Sequence, residues 1–352
     1  MDRFPIALPL PLEQNRLVYR WDLDKTYLRT DFDTVRDLVS RAFERASEKH
    51  TVPGAAALLR ELRGTDPAGI YILSGSPEQM RRVLEAKLRL DGIRWDGFVL
   101  KPSLRNLLKG QFGFLRDQVG FKLSALLSSR ESLPAHVDEV LFGDDAETDA
   151  FNYALYADIC AGRVDQDVLS RVLSASATTE EDMTRLLRLA WRLPKRECVA
   201  RIFIHLDRMS SAGAFDAYGT RVCPFFNYLQ PAVVLLEMGA ISAASALRVA
   251  ADLVIDQGFT QEALTASYLE LARRGHVGGR PAELMGEALE HATNEYSTAT
   301  PVLRAFGEEL ARASLRRDPP EIDMVELDYE AQLARERARA RDAKRRVLGR
   351  LR

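Results

Sequence analysis

The run Leu17-Val18-Tyr19-Arg20-Trp21 and the five residues after it, Asp22-Leu23-Asp24-Lys25-Thr26, decide how this chain is read. The apolar run predicts a short buried strand. Two carboxylates one residue apart at the exit of a strand suit phosphate chemistry. The first can attack phosphorus, and the second, turned by the bend after the strand, can protonate the leaving group and later deprotonate water.

Three further pieces follow in order. Ile72-Leu73-Ser74-Gly75-Ser76-Pro77 ends a second apolar run with hydroxyls and a glycine that lets the backbone come close to a ligand. Ser76 is the expected N-cap of the next helix, with Pro77 in its first turn and Gln79 closing a capping box, which leaves Ser74 free for a phosphoryl oxygen. Lys122, after Gly120-Phe121, is expected to open a helix carrying Leu123, Leu126 and Leu127, and its ammonium can neutralise phosphoryl charge. Leu141-Phe142-Gly143-Asp144-Asp145-Ala146-Glu147-Thr148-Asp149 ends a strand in clustered acids, an arrangement that calls for a shared cation, and all-oxygen ligands favour Mg²⁺. All four pieces would meet at the C-terminal edge of a parallel sheet, where open α/β sheets bind ligands.

Strands are expected at 17–21, 70–73, 98–100 and 139–142, separated by helical patterns, so the first half reads as α/β with a parallel sheet. Beyond about residue 165 the strand signal stops. Thr178 with Glu181 predicts a capping box ahead of Met183, Leu186, Leu187, Ala190 and Trp191, and Thr260 caps a stripe of Leu264, Tyr268, Leu271 and Ala272. Gly239, Gly258 and Gly275 fall where helices should end. The expected organisation is a three-layer sheet domain over 1–165, an all-helical domain over 166–325 and a basic helical tail over 326–352.

The chain has 352 residues and a net charge of −2, which argues against a general polyanion binder. Its three cysteines, Cys160, Cys198 and Cys223, lack zinc-ligand spacing and an even count, and fit a reducing, cytoplasmic setting. The apolar stretch 231–255 carries Glu237, Arg248 and Asp252 and reads as a buried helix pair rather than a membrane span. Residues 335–352 hold nine basic residues against Glu336 and Asp342, read as a solvated or frayed helix, or as a contact with anionic lipid or nucleic acid.

Asp22-Leu23-Asp24-Lys25-Thr26, Ser74, Lys122 and Asp144 to Asp149 resemble the four motifs of the haloacid-dehalogenase-like phosphohydrolase superfamily. With Pro53-Gly54-Ala55 and Phe121-Lys122-Leu123, residues 15–160 are similar to a phosphatidate phosphatase catalytic-domain family known from fungi and bacteria. Lys25 departs from a usual aspartate, and Gly75 and Asp145 from the commoner residues.

The resemblance implies an aspartyl-phosphate mechanism with Asp22 as nucleophile and metal ligand. Asp24 would be acid/base and ligate through its carbonyl, with Thr26 steadying it. Ser74, Gly75, Ser76 and Lys122 would hold the phosphoryl group. Asp144 would bind Mg²⁺, with Asp149 and Asp145 supporting the metal shell. The segments 27–69 and 101–120 leave room for one extra helix at 33–49 and no folded cap, which suits a large substrate. Lys101, Arg105, Lys109 and Arg116 interleave with Phe112 and Phe114, a pattern open to an anionic bilayer or to an ordinary surface loop. The expected activity is a Mg²⁺-dependent phosphomonoesterase on a phosphatidate-like lipid, at a peripheral membrane contact. Its alternatives are a phosphatase acting on protein, nucleotide or polynucleotide phosphate, and a non-catalytic scaffold using the helical half.

Overall fold

The computed structural model describes residues 3–5, 13–28, 51–101, 114–176, 178–207, 210–292 and 296–350. Its centre is a six-stranded sheet built from β2 (Leu17–Asp22), β3 (Gly69–Pro77), β4 (Gly97–Lys101), β5 (Asp138–Asp144), β6 (Val199–His205) and β7 (Val222–Phe225). All neighbouring pairs are parallel and the order is β4-β3-β2-β5-β6-β7. The chain winds outward from β2 in one direction, then restarts at β5 and winds the other way. The crevice beyond β2 and β5 is therefore the topological switch point of a doubly wound sheet.

Strand alternation sorts two apolar layers. Tyr19 and Trp21 face a core that also contains Phe142, Phe203 and Phe225. That face is covered by α1 (Ala55–Gly64), α2 (Arg81–Leu90) and a helical stack of α7 (Leu229–Glu237), α8 (Ala243–Gln257), α9 (Gln261–Arg273), α10 (Arg280–His291) and α11 (Thr300–Arg312). The opposite face packs Leu141, Ile202 and Ile204 under α3 (Phe114–Glu131), α4 (Asp149–Ala161), α5 (Gln166–Ala175), α6 (Glu180–Arg192) and the start of α12 (Tyr329–Arg350). The result is the expected three-layer α/β architecture, with helices on both faces of a parallel sheet.

Residues 166–325, however, are not all helical. They supply β6 and β7, so the expected boundary at 165 cuts through the sheet. Strands buried on both faces read as continuous apolar runs rather than as alternation, and Arg201 interrupts the run Val199-Ala200-Arg201-Ile202-Phe203-Ile204. That arginine is 1% exposed and donates to His276 Nδ1 at 2.9 Å. A further pair, β1 (Arg3–Pro5) antiparallel to β8 (Asp323–Val325), ties the start of the chain to residues 323–325.

The tail is likewise no separate unit at its start. Tyr329, Gln332, Leu333 and Glu336 are buried, Tyr329 donates to Asp158 Oδ2 at 2.5 Å, and Gln332 Nε2 donates to Tyr218 Oη at 2.8 Å. The apolar stretch 231–255 forms buried helices as expected, and among the described residues no helix is long and apolar enough to cross a membrane. The expected helix at 33–49 and most of the basic-aromatic stretch, 102–113, lie outside the described residues.

Several local expectations shift. β3 runs on through Ser76 to Pro77, a short 3₁₀ turn follows, and α2 starts at Arg81, so Ser76 caps nothing. The cap of α6 is Thr179, one residue beyond the expected Thr178, accepting from Asp182 N; Trp191 on that helix is exposed. Thr260 caps α9 as read, and Gly239, Gly258 and Gly275 all have positive φ at helix ends.

Candidate active site

Adjacent strands β2 and β5 end side by side, with Trp21 in register with Phe142. This brings Asp22 and Asp144 to one point although they are far apart in sequence. Asp22 lies on the face covered by α3 and α4. There its Oδ1 meets Lys122 Nζ at 3.1 Å, and the same ammonium pairs with Asp149 and, at 2.7 Å, with Glu147 Oε2. Lys122 sits in mid-α3, not at its start as the sequence suggested, and is wholly buried.

Gly143 explains how Asp149 gets so close. A methyl group there would stand 2.6 Å from Asp149 Cβ, so only glycine lets the first residue of α4 lie against the strand. Asp149 Oδ2 in turn accepts from Asp144 N at 3.2 Å, and Asp144 Oδ1 accepts from the amides of Ala146 (2.6 Å) and Glu147 (3.0 Å).

One carboxylate oxygen from each of Asp22, Asp144 and Asp149 lies within 4.8 Å of the others, and all three residues are buried. The second oxygens of Asp22 and Asp144 are buried with no hydrogen-bond partner among the described residues. Orphaned acceptors at that depth are costly. An all-oxygen donor set with two vacant carboxylate oxygens fits a hard divalent cation, so this group can hold a metal ion. The charges point the same way. Burial, chiefly, and the neighbouring acids raise Asp149 above the usual carboxylate range and Asp22 and Asp144 well above it, with Lys122 opposing. Glu147 differs: burial works to raise it, but Lys122, Lys25 and Lys101 outweigh that and hold it low.

Asp24 belongs to a second, adjacent arrangement. Its Oδ2 accepts from Ser74 Oγ at 2.7 Å and from Ser76 Oγ at 2.9 Å, and Ser76 N donates to Ser74 Oγ at 3.0 Å. Burial raises the Asp24 pKa, with Ser74 and Ser76 opposing. A carboxyl group raised in this way and pinned at a strand exit is suited to carry a proton.

Not every expected residue joins. Asp145 turns away and accepts from Ser210 N at 3.1 Å. The Asp24 side chain faces the serines, and its expected ligand atom is the backbone carbonyl. Thr26 Oγ1 has no hydrogen-bond partner, so Ser74 and Ser76, not Thr26, hold Asp24.

Three residues that sequence reasoning left out complete the surroundings. Lys25 takes a left-handed φ of 59°, and the turn it forms is held from beyond residue 165. Tyr228 Oη donates to Thr26 O at 2.5 Å, and His205 Nδ1 lies 2.7 Å from Lys25 O. Tyr228 also stacks on Trp21 with ring centroids 5.6 Å apart. Backbone carbonyls as partners leave no trace in sequence spacing, so nothing flagged these two. Glu147, the third, stood in the acidic run but was not separated from its neighbours.

No protein-family model, no curated protein and no solved structure matches this chain; what the site can do is read from its own atoms.

Proposed function

We propose that the protein is a haloacid-dehalogenase-like, Mg²⁺-dependent phosphomonoester hydrolase that works through an aspartyl-phosphate on Asp22. The observation that carries this reading is the pair Asp22 and Asp144, which end adjacent parallel strands with an unpartnered buried oxygen each.

Asp22, Asp144 and Asp149 would hold the ion. When bound, Mg²⁺ neutralises the clustered acids and polarises a phosphoryl oxygen. Asp22 attacks phosphorus, and the bond to the leaving oxygen breaks as Asp24 gives that oxygen its proton. Asp24, now ionised, takes a proton from water, whose oxygen attacks phosphorus, and the Asp22 carboxylate is restored as phosphate leaves. Lys122 offsets charge at the transferring group throughout. Ser74 and Ser76 keep Asp24 in place for both proton transfers.

A phosphatidate-like lipid, met at an anionic membrane surface by a cytoplasmic protein, is the first substrate to try; protein, nucleotide and polynucleotide phosphates come next. The buried free thiols of Cys160, Cys198 and Cys223 suit a reducing compartment. The test is phosphate release at fixed Mg²⁺ from phosphatidate in mixed micelles and from soluble monoesters, with wild type and Asp22→Asn side by side. Release by wild type alone is expected. Equal release by both proteins overturns the mechanism, and release from soluble esters but not from micelles overturns the lipid assignment only.

A further inference from the structure

Lys122 Nζ donates to Asp22 Oδ1 and Asp149 Oδ1 and is ion-paired at 2.7 Å with Glu147 Oε2, so three carboxylates crowd one ammonium. A phosphoryl oxygen can reach this ammonium only if one of them leaves. Asp22 and Asp149 are fully buried and belong to the group that can hold the ion. Glu147 is the outermost of the three, with 14% of its side chain exposed.

Its other carboxylate oxygen lies 3.8 Å from the point where a side chain on Gly75 would begin, beside the backbone expected to cradle phosphate. The Glu147 carboxylate thus bridges the two walls of the phosphoryl subsite, Lys122 on one side and the end of β3 on the other. It is an anion where the substrate's anion belongs. Its backbone is fixed, because the amides of Ala146 and Glu147 both donate to Asp144 Oδ1. A change of side-chain rotamer alone therefore empties the subsite.

Resting on the hydrolase reading, we propose that Glu147 is an internal stand-in for the phosphoryl group: it occupies Lys122 in the resting protein, yields to the substrate and returns to expel inorganic phosphate. This raises KM and weakens product inhibition, and it spares the buried ammonium an unpaired state between turnovers.

The test measures binding of inorganic phosphate to the full-length, Mg²⁺-loaded protein by titration calorimetry, with turnover of a soluble phosphomonoester alongside. Glu147→Gln and Glu147→Ala are both used, because glutamine keeps the volume and alanine removes any residual acceptor; circular dichroism checks that each folds. Phosphate is expected to bind both variants about tenfold more tightly than wild type, a change of about 1.4 kcal/mol, with a matching fall in the phosphate inhibition constant. Unchanged or weaker phosphate binding in both variants, with wild-type turnover intact, overturns the stand-in and leaves the hydrolase standing. Absence of both phosphate binding and turnover in wild type overturns the two together.

Discussion

Strands β2 and β5 carry two buried charge clusters on the same face, a few residues apart, and the two are built on opposite plans. Near the start of β5, Glu139 is wholly buried and both its oxygens are engaged: Oε2 by Arg20, Oε1 by Arg130 at 3.1 Å and by Tyr156 Oη at 2.7 Å. Near the strand ends, Asp22, Asp149 and Glu147 pair with one lysine beside Asp144, and Asp22, Asp144 and Glu147 each keep a buried oxygen with no hydrogen-bond partner among the described residues. Both carboxylate oxygens of the first cluster are taken by protein groups, and only a donor, Arg20 Nη2, is left over. The second leaves buried acceptors open. Both clusters are buried and mix acids with bases, so what separates them is the balance of charge and the orphaned acceptors.

Exchanging one acid in each cluster tests the contrast most sharply. Asp22→Asn should lower turnover by about three orders of magnitude or more, the scale for a lost nucleophile. It should leave the metal-free protein at least as stable as wild type, since it removes a negative charge from a crowded acidic site. Glu139→Gln should do the reverse, costing about 3–5 kcal/mol of stability by stranding buried arginines, with turnover per folded molecule retained. Urea unfolding and steady-state kinetics on both variants decide the matter, and a strongly destabilised Asp22→Asn would break the comparison.

Magnesium should separate the clusters next. Asp22, Asp144 and Asp149 are raised in the folded, metal-free protein, so between the ordinary carboxylate range and those raised values the folded state holds more protons than the unfolded. Stability of the metal-free protein from these groups therefore falls as pH rises. Mg²⁺ must displace the same protons, so its stabilisation should grow with pH. At a hundredfold excess over the dissociation constant the gain is about 2.7 kcal/mol. Melting temperatures with and without Mg²⁺ at pH 5 and pH 8 should differ more at pH 8, while Asp22→Asn should show a smaller pH effect.

The smallest expected effect concerns the support beneath the site. Tyr228→Phe removes one hydrogen bond, to Thr26 O, and keeps the ring stacked on Trp21. It should cost about 1 kcal/mol of stability and lower kcat more than it alters KM, because the turn it frees carries Asp24. An unchanged kcat would show that the turn stands without it.

Four of the six strands were legible because each ends where apolar residues give way to chemistry: Asp22, Ser74, Lys101 and Asp144 mark the ends of their runs. Asp22 and Asp144 meet because adjacent parallel strands end there, while Lys122 and Asp149 reach them from α3 and α4. What escaped were features whose cause lies elsewhere in the chain. Val199–His205 reads poorly as a strand because Arg201 sits in it, and that arginine is met by distant His276. Ser76 looks like a cap, yet Asp24 claims its hydroxyl. Asp145 looks like a ligand, yet Ser210 claims it. In each case a short-range rule lost to a partner from a remote segment.

Because Tyr228 and His205 steady a turn formed by Lys25 and Thr26, that turn waits about two hundred residues of synthesis for its brace. Until β6 emerges, the outer edge of β5 has no neighbour, and an unpaired parallel edge recruits other chains. A nascent polypeptide stalled before residue 199 would present such an edge, with the acidic cluster already made but the Lys25–Thr26 turn unbraced.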